Sequence, residues 1–244
     1  DDLERPDLEF RAEIVDRFIT FCSLIKHFKG KSAGEQFKLE PWQQFIGANI
    51  LGFYYKGTDE RKYTNSLICV ARKMGKTCLA AAFCLWFLIG DGESGAEVDL
   101  AANSRQQAQI AYEFVQNYAR QLDPSGKELK CLRNGIKLKL NDSNLNVFAA
   151  DSTKLDGFNA SFALIDEYHA AKDSRLYDVL KSSQGQRKNP HLMVISTVGF
   201  SITSPFKKLY DTDCEILHGL KEDDSTFAMI FALDDGDDWR DETV

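Results

Sequence analysis

The chain has 244 residues, 43% of them hydrophobic and 27% charged, with a net charge of −7, which excludes a disordered, collagen-like or uniformly cationic protein. Its longest apolar run, Cys78 to Ile89, falls short of the ~20 residues that span a bilayer, and the opening DDLERPDLEF is no basic, apolar leader, so a cytosolic protein is expected. The acidity sits at the ends: residues 211–244 carry twelve acids against Lys221 and Arg240, and residues 1–16 carry seven against two arginines, which leaves 17–210 basic at about +8.

Phe10, Ile14, Phe18, Phe21 and Ile25 recur at three- and four-residue steps and predict an amphipathic helix over 9–29. A loop at 30–36 closes this N-terminal helical segment, 1–36. A second helix is expected over 37–53, with Pro41 in its first turn. Trp42 is most simply a core residue there, while Gln43, one of two glutamines beside an aromatic, can also read an adenine edge.

From Ser66 to Trp86 the apolar run Leu67-Ile68-Cys69-Val70 meets Gly75-Lys76-Thr77 and then an Ala/Leu-rich helix. A loop ending at a helix N-terminus offers unpaired N–H groups and the positive end of the helix dipole to a polyphosphate. Gly75 lets the backbone approach closely, Lys76 reaches the β/γ oxygens, and the Thr77 hydroxyl can ligate Mg²⁺. Val70 stands where G-x-x-x-x-G-K-[ST] has its first glycine. On its own the stretch is either a nucleotide site or a plain strand-turn-helix.

A strand is expected at 96–102 and, after the N-cap Ser104, a helix over 106–121. Residues 133–141 and 145–149 predict a hairpin with Lys137 and Lys139 on one side, either a solvated face or a contact for phosphate backbones. Ser161–Glu167 reads as a strand buried on both faces, with two carboxylates, Asp166 and Glu167, at the edge where α/β sheets place ligands. Helices over 177–186 and 206–218 and strands over 191–197 and 227–233 complete an α/β chain with a mainly parallel sheet. The six cysteines form no C-x-x-C pair and the four histidines share no ligand spacing, so reduced thiols and no structural metal are expected.

Gly75-Lys76-Thr77 and Asp166-Glu167, about ninety residues apart, support each other. Asp166 would complete a Mg²⁺ shell with Thr77, Glu167 would polarise a water for in-line attack on the γ-phosphate, and Arg72 would neutralise the charge that develops. The same residues carry a resemblance to the large subunit of tailed-bacteriophage terminases. It covers L-E-P-W-Q-Q (39–44), V-A-R-K-M-G-K-T (70–77), A-A-N-S-R-Q-Q-A (101–108), L-D-G-F-N (155–159), A-L-I-D-E-Y-H (163–169), I-S-T-V-G (195–199) and D-D-G-D-D-W (234–239), in family order. The loop without its first glycine looks like the variant common in that family.

The resemblance implies a P-loop NTPase core of ASCE/RecA-like type over 37–233, a Mg²⁺-dependent ATP hydrolase that moves double-stranded DNA into procapsids. It implies adenine contacts from Trp42 and Gln43 and a phosphate loop of Arg72, Lys73, Met74, Gly75, Lys76, Thr77 and Cys78. Arg72 would touch the γ-phosphate, Thr77 and Asp166 would hold Mg²⁺, and Glu167 would be the base. Ser196 and Thr197 resemble the motif that couples hydrolysis to DNA movement. Implied partners are the portal protein, the small terminase subunit and further copies in a ring on the portal, in the host cytoplasm and away from membranes; the isolated chain can be monomeric. Arg105, Arg120 and Arg133 are candidates to complete a neighbour's site. Residues 234–244 would be an acidic linker toward a nuclease domain absent from this chain, so no nuclease activity is expected. A superfamily 2-type helicase fragment and a non-hydrolysing DNA-tethering scaffold are the alternatives.

Overall fold

In the computed structural model, residues 2–150, 159–185, 187–199 and 201–232 are described. Most of the L-D-G-F-N motif and the acidic stretch 234–244 lie outside them. Near the start, β1 (Leu8–Phe10) pairs antiparallel with β2 (Phe53–Tyr55), and α1 (Ala12–Ser23) and α2 (Pro41–Gly52) run between them. The helix expected over 9–29 is therefore shorter at both ends. Phe10 and Ile25 keep the helical spacing yet lie outside α1, because Phe10 packs on the Phe53 ring at 5.1 Å and Ile25 is wholly buried beyond the helix end.

The remaining elements alternate as β3 (Asn65–Cys69), α3 (Lys76–Leu85), β4 (Glu97–Ala102), α4 (Arg105–Leu122), β5 (Leu129–Leu132), β6 (Gly135–Leu138), β7 (Asn144–Ala149), β8 (Phe162–Asp166), α5 (Arg175–Ser182), β9 (His191–Ser196), α6 (Pro205–Leu217) and β10 (Thr226–Ile230). A π-helical turn, Trp86–Gly90, extends α3. The eight-stranded sheet has the order β10-β3-β9-β8-β4-β7-β6-β5. Six strands are parallel, and β6 and β5 add on antiparallel. The 133–149 hairpin thus forms as β6 and β7, while β5, like β1 and β2, was not foreseen, and the helix expected over 37–53 is confined to Pro41–Gly52, with Phe53 opening β2.

Strand residues alternate between two cores. Ile68, Leu100, Leu164 and Met193 join the larger core with α1 to α4, and Leu67, Ala101, Ile165 and Val194 join a smaller one with Leu176, Leu180 and Phe206 of α5 and α6. This is the α/β fold of a P-loop NTPase, with β9 inserted between the glycine-loop strand β3 and the acidic strand β8. That insertion places Ser196 between the two halves of the candidate site. No helix among the described residues is long and apolar enough to cross a membrane. All six cysteines are free.

Candidate functional site

The loop between β3 and α3 is tied down at its base, where Val70 N–H donates to the Ser196 carbonyl at 3.1 Å. A side chain at Val70 is accommodated because it is buried in the larger core. Arg72 to Gly75 form the exposed turn. Lys73 and Gly75 both take left-handed backbone, at φ 69° and 79°. Gly75 caps α3, and no side chain bonds to the first-turn N–H groups there. These N–H groups, from Lys76 to Cys78, are therefore the ones a phosphate can use.

Lys76 is buried, and its Nζ lies 2.9 Å from Glu167 Oε1. Glu167 stands just past the end of β8 in left-handed backbone, at φ 55°, a strained state for a side-chain-bearing residue. Its backbone is held on both sides, since its N–H donates to the Ile195 carbonyl at 3.0 Å and Asn103 Nδ2 donates to its carbonyl at 2.5 Å. Glu167 Oε2 lies 3.1 Å from His169 Nδ1 but outside hydrogen-bonding geometry. His169 in turn meets the Ser196 hydroxyl through its backbone N–H and its Nδ1, each at 3.1 Å, and lies 3.4 Å from the Thr197 hydroxyl. A polar chain thus runs from the glycine loop to the end of β9.

Asp166 is buried, and its Oδ1 has no hydrogen-bond partner. Burial pushes its carboxyl up to about 6, the Glu167 charge adds to the rise, and Lys76 opposes it. Burial also lowers His169; Glu167 counteracts this, and the positive charges of Lys76 and Arg72 reinforce it. The orphaned Asp166 oxygen, which feels the Lys76 charge, and the Thr77 hydroxyl in the first turn of α3 are hard oxygen donors of the kind that suits Mg²⁺. The described residues contain no group of three or more His, Cys, Asp or Glu side chains able to hold a metal unaided.

Other sequence candidates fall less centrally. Gln43 is 3% exposed, and its Oε1 accepts from Glu40 N–H at 3.0 Å in a capping box that starts α2. Its Nε2 faces the loop, 3.4 Å from where a Cβ on Gly75 would stand. Trp42 packs edge-on against Phe231 at 5.7 Å. The Cys78 thiol turns inward to the Tyr118 hydroxyl. Arg105 and Arg133 line one surface depression of about 640 Å³, while Arg120 sits in the last turn of α4 beside Cys131. Asn103 and His169 were given no role from sequence. Asn103 follows the end of a predicted parallel strand, a position that could have found it. His169 becomes visible only through the register that sets Asp166 beside Ile195.

The sequence profile of the family described as "Terminase large subunit, ATPase domain" matches residues 41–213. The large terminase subunit of Enterobacteria phage HK97 is 29% identical over 202 residues, covering 77% of this chain and 36% of that protein. The crystal structure of the HK97 large terminase superimposes with a TM-score of 0.77 at 20% identity, over 94% of this chain and 46% of that one. The large terminase of a thermophilic bacteriophage, solved in complex with ATP-gamma-S, gives 0.51 at 14% identity, over 70% and 39%. The chain spans less than half the length of these relatives.

Proposed function

The chain belongs to the ATPase-domain family of terminase large subunits, and from that premise we propose that it is a Mg²⁺-dependent ATP hydrolase driving double-stranded DNA into a procapsid. The observation that carries the reading is the 2.9 Å pairing of Lys76 with Glu167, which joins the glycine loop to the acidic strand end. ATP-gamma-S in the thermophilic phage's terminase supports a nucleotide as the ligand.

Without phosphate, Lys76 and Glu167 neutralise each other. A bound triphosphate competes for Lys76 and leaves Glu167 free to accept a proton from water. The water oxygen then bonds to the γ-phosphorus in line with the bridging oxygen to the β-phosphate, that P–O bond breaks, and ADP and phosphate leave. Arg72 in the exposed turn offsets charge on the γ-oxygens. Mg²⁺, held by Thr77 and Asp166, would neutralise β/γ oxygens when bound. His169 transmits the change at Glu167 to the end of β9, where Ser196 and Thr197 form the coupling motif. Portal, small terminase subunit and neighbouring copies in the host cytoplasm are the partners this reading calls for.

Titration with a fluorescent ATP analogue tests the binding step. Lys76→Ala should abolish saturable, Mg²⁺-dependent binding while leaving the melting temperature within a few degrees of wild type. Unchanged affinity in the variant would remove the loop from the site.

A further inference from the structure

At the far edge of the sheet, β5 and β6 form a two-stranded ribbon whose register sets Lys130 directly opposite Lys137, with Asn144 of β7 next in the row. Leu129, Ile136 and Leu138 point into the core, so both lysines stand on the outer face, and both are exposed. Like charges directly opposed across strands are destabilising, and a merely solvated face would be served better by a lysine facing a glutamate. Two acids lie near the row: Glu128, whose carbonyl accepts from Lys139 N–H at 3.0 Å one step beyond the Lys130–Lys137 pair, and Asp142, which shares a depression with Lys137 and Lys139; among the described residues neither makes an ion pair. Lys127, Lys130, Arg133, Lys137 and Lys139 make no ion pair among the described residues, and Glu128 is the one acid between 127 and 141. Asp123, just before the ribbon, is committed to its own turn by Ser125 and by the N–H groups of Glu128 and Leu129.

The cations extend along the ribbon. Arg133 occupies the β5–β6 turn, at the sheet edge shared with Asp166, and Lys139 lies past the opposite end of β6. Gly135 keeps the ribbon flat against its neighbour, since a Cβ there would overlap the Leu145 carbonyl. The exposed apolar side chains Leu132 and Leu140 lie at opposite ends, leaving no apolar centre. Protein interfaces are built on such a centre and are poor in lysine, whereas a polyanion rewards unpaired lysines in a row.

We propose that the β5–β6 ribbon is a contact surface for the phosphodiester backbone of duplex DNA, with Lys130 and Lys137 at its centre. The choice of duplex DNA as the polyanion rests on the packaging reading; the surface itself rests on the register and the missing ion pairs. Backbone contacts of this kind carry affinity without base-sequence preference.

Fluorescence anisotropy of a labelled duplex, across a salt series with the full 244-residue chain, tests it. Lys130→Gln/Lys137→Gln should lower affinity for unrelated duplex sequences alike and reduce the slope of log K against log salt by about 1.8. A control with the same charge change, Lys31→Gln/Lys56→Gln, should retain the wild-type slope, and basal ATP hydrolysis should be the same in all three. Equal slopes in ribbon variant and wild type would overturn the proposal. So would a ribbon variant whose sedimentation changes while its DNA affinity does not, which would make the face a protein contact. A wild type that hydrolyses ATP but has no salt-dependent affinity for duplex defeats the ribbon and leaves the ATPase reading standing. Duplex binding without hydrolysis does the reverse.

Discussion

Two buried carboxylates on neighbouring strands show how position decides a residue's chemistry. Asp166 ends β8 with Lys76 in its field and one oxygen without a hydrogen-bond partner. Asp99 lies mid-strand on β4, fully buried, in register with Asn146, whose Nδ2 donates to its Oδ1 at 3.3 Å. Burial lifts the Asp99 carboxyl from 3.8 to about 7, with Glu97 adding to the rise and Asn146 and Arg187 opposing it. The unfolded chain releases this proton near 3.8, so between the two values the native state binds more protons and stability falls as pH rises. Asp99→Asn should therefore be more stable than wild type above about pH 8, by on the order of 3 kcal/mol, and equal to it below about pH 4. Urea unfolding at the two pH values reads the difference; a gap that persists at low pH would assign it to packing instead.

At the scale of elements, α1 is part of the central packing. Phe18 stacks on Phe83 of α3 at 4.7 Å and meets Trp86 edge-on at 5.5 Å. Phe18→Ala should cost about 3–5 kcal/mol and lower the denaturant midpoint of the whole chain in one transition. Two separate transitions would instead make the N-terminal segment an independent unit. Element existence was legible wherever apolar runs were long, as in α3, β8 and β9. Boundaries were less so: Phe10 and Ile25 obey the helical period because they reach the same core from a strand and a loop. β5 escaped because four residues, Leu-Lys-Cys-Leu, carry little period, and only pairing with β6 makes them a strand.

At the scale of the molecule, the glycine loop, Asp166-Glu167 and Ser196-Thr197 share the C-terminal edge of the parallel strands, with β9 between the other two. The residue types at each strand end were readable in sequence because chemistry fixes them. The order of strands was not, since register between distant segments has no local signature. Hence the chain from Glu167 through His169 to Ser196 emerges only in three dimensions. The order also explains how one residue, Glu167, lies against both Lys76 and, through His169, the end of β9.

Glu167→Gln in a single-turnover experiment, with protein in excess over Mg²⁺-ATP, tests this most directly. The variant should bind the nucleotide at least as tightly as wild type, because a competitor for Lys76 is gone, and cleave it ~10²–10⁴-fold more slowly. Wild-type and variant chains that cleave bound ATP at the same rate would contradict the role of Glu167 and the mechanism built on it.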